Sequence, residues 1–107
     1  MITGGTGFIG SRLAKILIDE GETPVLYDIA PVRGPLTEQS GRFVFERGSL
    51  EHFPILMDCV ERHAVDRIFH LGGMLSLPSE NDPWKAFDAN VVGTRNVLEA
   101  ARIRNMR

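Results

Sequence analysis

The chain has 107 residues, 43% of them hydrophobic and 24% charged, with a net charge of -2. That length holds one domain with a modest core, and the charge gives no reason to expect a nucleic-acid or anionic-membrane partner. No apolar run approaches the roughly 20 residues of a membrane span, a single cysteine rules out an internal disulfide, and His52, His63 and His70 lack metal-ligand spacing. With no leader ahead of the first motif, this cysteine usage predicts a cytoplasmic protein.

Residues 1–3 are a short apolar stub and predict a strand. It runs straight into a glycine loop, in which Gly5, Gly7 and Gly10 fit G-x-G-x-x-G and Gly4, Gly7 and Gly10 fit G-x-x-G-x-x-G. A helix is predicted over 8–20, with Leu13, Ala14, Ile16 and Leu17 as its apolar stripe. Arg12, Lys15, Asp19 and Glu20 take its wet side, and Gly21 stops it. A strand, a glycine turn and a helix N-terminus form a site for a pyrophosphate. Backbone N–H groups and the helix dipole favour an anion there, and missing side chains let it approach. Gly7 is expected to be the least replaceable residue of the loop.

Residues 24–28 read as a second buried strand ending in Asp28, which lies 18 positions past Gly10. A carboxylate there accepts hydrogen bonds from the adenosine ribose and repels a 2′-phosphate, which favours NAD over NADP. Arg33 is the nearby basic residue that would instead meet a 2′-phosphate. Pro31, Gly34, Pro35 and Gly41 make residues 29–41 a loop, and Phe43–Glu46 is the third strand. A helix is expected over about 50–63, with Ser49 or Glu51 near its start. Cys59, among Leu56, Met57 and Val60, is expected to be a buried, inert thiol. Val65–Leu71 is the fourth strand and 72–81 a loop. Asp82-Pro83 starts a last helix that runs to about 104, with Trp84, Phe87, Val91, Thr94, Leu98 and Ala101 as its stripe. Strands alternating with helices predict a doubly wound parallel α/β sheet, and right-handed crossovers give the strand order 3-2-1-4. The first strand is short and the chain stops after a helix, so both ends read as cut.

Taken in order, these motifs resemble the extended short-chain dehydrogenase/reductases, the NAD-dependent epimerase/dehydratase group. Thr3–Gly10 is similar to its glycine signature, and Asp28 ends the second strand. Gly48-Ser49-Leu50 sits where the family has Gly-Asp-Leu or Gly-Asp-Val, and His70-Leu71-Gly72-Gly73 resembles its H-L-A-A motif. Asn90-Val91-Val92-Gly93-Thr94, followed by Asn96–Ala101, looks like its N-V-x-G-T-x-N-V-L-E-A-A helix. The resemblance covers essentially the whole chain. It implies a Rossmann-type fold, incomplete, with four strands and about three helices, and NAD as cofactor.

The cofactor-binding residues it implies are Gly4, Gly7, Phe8, Ile9, Gly10, Asp28, Ile29, Ser49, Leu50, Leu71, Gly72, Gly73 and Asn90. Ser49 departs from the usual Asp, and a hydroxyl accepts from the adenine amine without charge; a plain helix cap is the other reading of this serine. His70 is expected to be structural. Asn90 is expected to hold the active-site end of the sheet by hydrogen bonds. No catalytic residue is expected in the chain, because the family's Tyr-x-x-x-Lys pair is missing: Tyr27 is the sole tyrosine, and Lys15 and Lys85 are the sole lysines. Residues 1–107 therefore read as the NAD-binding, N-terminal part of a longer protein. Its catalytic pair and substrate domain would lie elsewhere, and a homodimer is one assembly the resemblance admits.

The implied parent is an oxidoreductase of the epimerase/dehydratase type acting on a sugar nucleotide. The alternatives are an L-threonine 3-dehydrogenase-like enzyme for a small hydroxy or amino acid, and a non-enzymatic dinucleotide sensor. The 74–83 loop carries the hydroxy-acid alternative, with Ser76 as a candidate substrate contact.

Overall fold

The computed structural model describes residues 1–106. Its strands are β1 (Ile2–Thr3), β2 (Val25–Asp28), β3 (Val44–Arg47) and β4 (Phe69–His70). The α-helices are α1 (Phe8–Asp19), α2 (Phe53–Arg62), α3 (Ser76–Asn81), α4 (Pro83–Phe87) and α5 (Gly93–Ile103). A 3-10 helix spans Gly34–Gln39, and a π-helical turn, Asp88–Val92, joins α4 to α5.

All pairings are parallel, in the order β3-β2-β1-β4. Ile2 sits between Leu26 and Phe69, and Thr3 between Tyr27 and His70. Backbone bonds carry the ladder past the short β1: Gly4 N–H donates to the Tyr27 carbonyl and Leu71 N–H to the Thr3 carbonyl. Parallel strands covered on both faces read as continuous apolar runs, and Val25, Leu26 and Tyr27 are all buried. Their alternation separates two cores. Ile2 and Leu26 face α1 and the 3-10 helix, packing with Ala14, Leu17, Ile18 and Leu36. Val25 and Tyr27 face α2 and α5, packing with Leu56, Cys59, Val60, Val97 and Ala100.

The strand order is as expected, but there are more helices than three. Residues 76–81, expected as loop, form α3, and the 29–41 crossover contains a 3-10 helix that buries Leu36. α2 starts at Phe53 with His52 at its N-cap and no side-chain cap, so neither Ser49 nor Glu51 caps it. β4 is two residues long rather than seven. Ile16 is 54% exposed, and Ile18 fills the core in its place. The largest correction concerns the last helix. Trp84, Phe87, Val91 and Leu98 lie exposed, while Gly93, Asn96, Val97 and Ala100 are buried. The expected stripe is exposed on both sides of the π turn, and the face that packs is instead the one carrying the smaller residues Ala86, Gly93, Val97 and Ala100, with Asn96.

Candidate functional site: a cleft at the carboxyl edge of the sheet

The loops leaving β1, β2, β3 and β4 open around one cleft of about 870 Å³. Its wall contains Gly4, Gly7, Phe8, Ile9, Gly10, Asp28, Ile29, Ser49, Leu50, Leu71, Gly72 and Gly73. The sequence reading overlooked Thr6, Tyr27, Glu51, Met74 and Lys85, which also line it. Of the thirteen residues singled out, Asn90 alone is not part of the wall.

The glycine loop is shaped by close approach. Gly4 has φ +66, a left-handed conformation that costs most other residues about 1–2 kcal/mol. A Cβ on Gly10 would overlap the Gly4 carbonyl oxygen, so the first turn of α1 packs directly on the loop. Gly7 differs from expectation. Its φ is -72, and an added Cβ would meet only the Gly4 carbonyl oxygen, at 3.2 Å. Gly7 is the N-cap of α1, where no side chain caps the free N–H groups, so they remain open to a ligand anion. Phe8 and Ile9 stand exposed at this end, and the Arg12 guanidinium lies 4.4 Å from the Phe8 ring centroid.

Asp28 is fixed at the end of β2 by two backbone donors. Thr6 N–H donates to Oδ2 and Ala30 N–H to Oδ1, each at 3.1 Å. The first bond ties the glycine loop to the carboxylate. Each oxygen keeps a second lone pair, enough to accept from the two hydroxyls of a ribose. Arg33 also lines the cleft, beyond Asp28.

The turn at 48–51 closes the next side. The Tyr27 hydroxyl donates to the Ser49 carbonyl at 3.1 Å, and burial pushes this phenol up to about 12. Glu51 is held below the usual carboxylate range, chiefly by a hydrogen bond from the Ser49 hydroxyl. Asn96, only 2% exposed, donates from Nδ2 to the carbonyls of Leu50 and Glu51 at 2.9 and 3.1 Å. Sequence reasoning quoted Asn96 as part of a motif without giving it a task; a polar residue on the otherwise small, apolar face of α5 was the available signal.

His70 lies behind the wall. Thr94 donates its hydroxyl proton to the Asn90 carbonyl at 2.6 Å, so it must accept from His70 Nε2–H, 3.0 Å away. Nδ1 is then the acceptor and takes the Thr3 hydroxyl proton at 2.7 Å, while the same Thr3 oxygen accepts from the N–H groups of Leu71 and Gly72. Burial lowers the His70 pKa below the ordinary histidine value, consistent with this neutral tautomer. Both ring nitrogens are engaged, so His70 is a structural tie between β1, β4 and α5. Asn90 sits in the π turn and grips the loop after β4 from both sides. It accepts from Met74 N–H at 2.7 Å and donates to the Met74 carbonyl at 3.0 Å. It therefore acts on the cleft through Met74, which is in the wall.

A parallel sheet ordered β3-β2-β1-β4, with a glycine turn after β1 and a carboxylate ending β2, defines a dinucleotide-binding Rossmann-type domain. Ligands lie across the carboxyl edge where the strand order reverses, between β1 and β4, and the cleft is there. The chain belongs to the NAD dependent epimerase/dehydratase family, whose sequence profile matches residues 1–107. It is 32% identical to a CDP-paratose 2-epimerase of Salmonella typhi, over 95% of this chain and 32% of that one. It is 33% identical to a D-erythronate dehydrogenase of Haemophilus influenzae, over 98% of this chain and 34% of that one. The chain thus spans about a third of the length of these curated relatives. Among solved structures, the UDP-glucose 4-epimerase of Thermus thermophilus in complex with NAD matches with a TM-score of 0.87 at 25% identity. That match covers 99% of this chain and 34% of the other.

Proposed function

We propose that this chain holds NAD in the cleft at the carboxyl edge of its sheet, as part of an oxidoreductase acting on a sugar nucleotide. The observation that carries the reading is the bond from Thr6 N–H to the Asp28 carboxylate. It fixes a phosphate-accepting glycine loop and a ribose-accepting carboxylate as one unit on one wall. The pyrophosphate belongs at the free N–H groups of Phe8 and Ile9, and the adenosine ribose at Asp28. The adenine belongs on the Ser49–Leu50 turn, where the Leu50 N–H has no acceptor among the described residues. The small Gly72 and Gly73 border the path toward the far end of the cleft. When bound, NAD supplies a hydride acceptor; the residues here bind and orient it. None of them is assigned a proton-transfer role, because Tyr27 donates into the Ser49 carbonyl and His70 is engaged at both nitrogens.

The sugar-nucleotide substrate is supported by the likeness to the CDP-paratose and UDP-glucose epimerases. The likeness to D-erythronate dehydrogenase favours a second reading, a small hydroxy acid. Ser76, the residue offered for that substrate, opens α3 and is not in the cleft wall. Calorimetric titration of the chain with NAD and NADP tests the binding, and tighter NAD is expected. Equal or tighter NADP would overturn it. Product analysis of the full-length protein with nucleotide sugars, against oxidation of small hydroxy acids followed by NADH absorbance, separates the two substrate classes.

A further inference from the structure

We infer that Asn96 and Tyr27 are positioning residues that set how the cleft reads the adenine base. The inference deepens the reading above and rests on its placement of adenine at Ser49–Leu50. The polar atoms of both side chains are engaged within the chain, where together they hold three consecutive carbonyls of the turn. Tyr27 donates to the Ser49 carbonyl, and Asn96 to those of Leu50 and Glu51. The Asn96 amide is itself oriented, since its Oδ1 accepts from the Arg95 guanidinium at 3.1 Å and leaves Nδ2 for the two carbonyls.

Packing removes the remaining freedom. A Cβ on Gly48 would overlap the Tyr27 hydroxyl, so the turn lies directly on the phenol. With its three carbonyls taken, the turn keeps the Leu50 N–H as a donor with no acceptor among the described residues. A donor there matches adenine N1, which only accepts. Hypoxanthine presents N1–H at the same place, and two donors would then face each other. Tyr27 also precedes Asp28 in β2, so one strand end sets both the ribose carboxylate and the base turn. A buried phenol that keeps its proton up to about 12 remains a donor across the working pH range.

The test compares NAD with nicotinamide hypoxanthine dinucleotide by calorimetry in the full chain. The unmutated protein should prefer NAD by about tenfold, the scale of a lost hydrogen bond facing an unpaired donor. Asn96→Ala removes both donors without burying a charge, and it should shrink that preference to about twofold or less as the turn loses its fixed carbonyls. Tyr27→Phe should reduce it to an intermediate value, and decides the matter alone if Asn96→Ala does not fold. A residue that merely stabilises the fold would lower the melting temperature and both affinities together, leaving the ratio unchanged. That outcome, with the unmutated preference intact, overturns the positioning role while the adenine placement stands. No preference in the unmutated protein overturns the placement itself, and the inference with it.

Discussion

At Asp28 the carboxylate does two things at once. It draws the glycine loop onto β2 through Thr6 N–H, and each oxygen keeps a lone pair for the ribose hydroxyls proposed above. Asp28→Ala should therefore narrow the preference for NAD over NADP by about tenfold, the worth of a charge-assisted hydrogen bond; competitive titration of the two dinucleotides reads this. The glycines divide the labour differently. Gly10 has no room for a Cβ, so Gly10→Val should cost more than about 3 kcal/mol of stability in a denaturant melt. Gly7 has a φ open to any residue, so Gly7→Ala should change stability by less than about 1 kcal/mol and act mainly on cofactor affinity. Two buried acids give an alkaline limit to stability. Burial raises Tyr27 from 10 to about 12 and Cys59 from 9 to about 11. The unfolded chain releases both protons first, so their contribution is complete below the unfolded values and is lost as pH rises through the folded ones. The melting temperature should fall above pH 9, and less steeply in Tyr27→Phe.

In the α4–π–α5 run, burial follows size and hydrogen bonding rather than hydrophobicity. α5 meets the 48–51 turn with Gly93 and Asn96, and α2 with Val97 and Ala100, while Leu98 faces outward. Ala100→Leu should cost about 1–3 kcal/mol by overpacking, whereas Leu98→Gln should stay within about 0.5 kcal/mol; chemical denaturation of both variants checks the inversion. The strands and α1 were legible because short apolar runs and glycine stops repeat at the spacing of a wound sheet. The order 3-2-1-4 then follows from handedness alone. What sequence could not show was which face of the last helix packs, because the small Ala86, Gly93 and Ala100 are buried where the larger Trp84, Phe87 and Leu98 are not. It also could not show that α3 forms in a stretch rich in serine and proline. Asn90 and Asn96 were visible as motif residues. Their partners, Met74 in one case and the 49–51 turn in the other, become visible only when crossovers bring residues 16 and 46 positions apart together.

Across the whole molecule, one sheet edge collects every loop that carries a site residue, and the two cores behind it are separate. α1 and the 3-10 helix brace the glycine loop from one face, while α2 and α5 brace the 48–51 turn from the other. The hydrogen bonds running from Thr3 through His70 and Thr94 to the Asn90 carbonyl tie β1, β4 and α5 behind the cleft. This arrangement accounts for a rigid dinucleotide cradle and assigns its residues no proton-transfer step. The most direct measurement is an amide chemical-shift titration of the isotopically labelled chain with NAD. The amides of Gly7, Phe8, Ile9, Leu50, Leu71 and Gly72 should shift together with one dissociation constant, leaving the outward face of α5 around Leu98 unmoved. No shifts at the glycine loop, or shifts centred instead on the hollow between Arg67, Val97 and Met106, would contradict this placement of the cofactor.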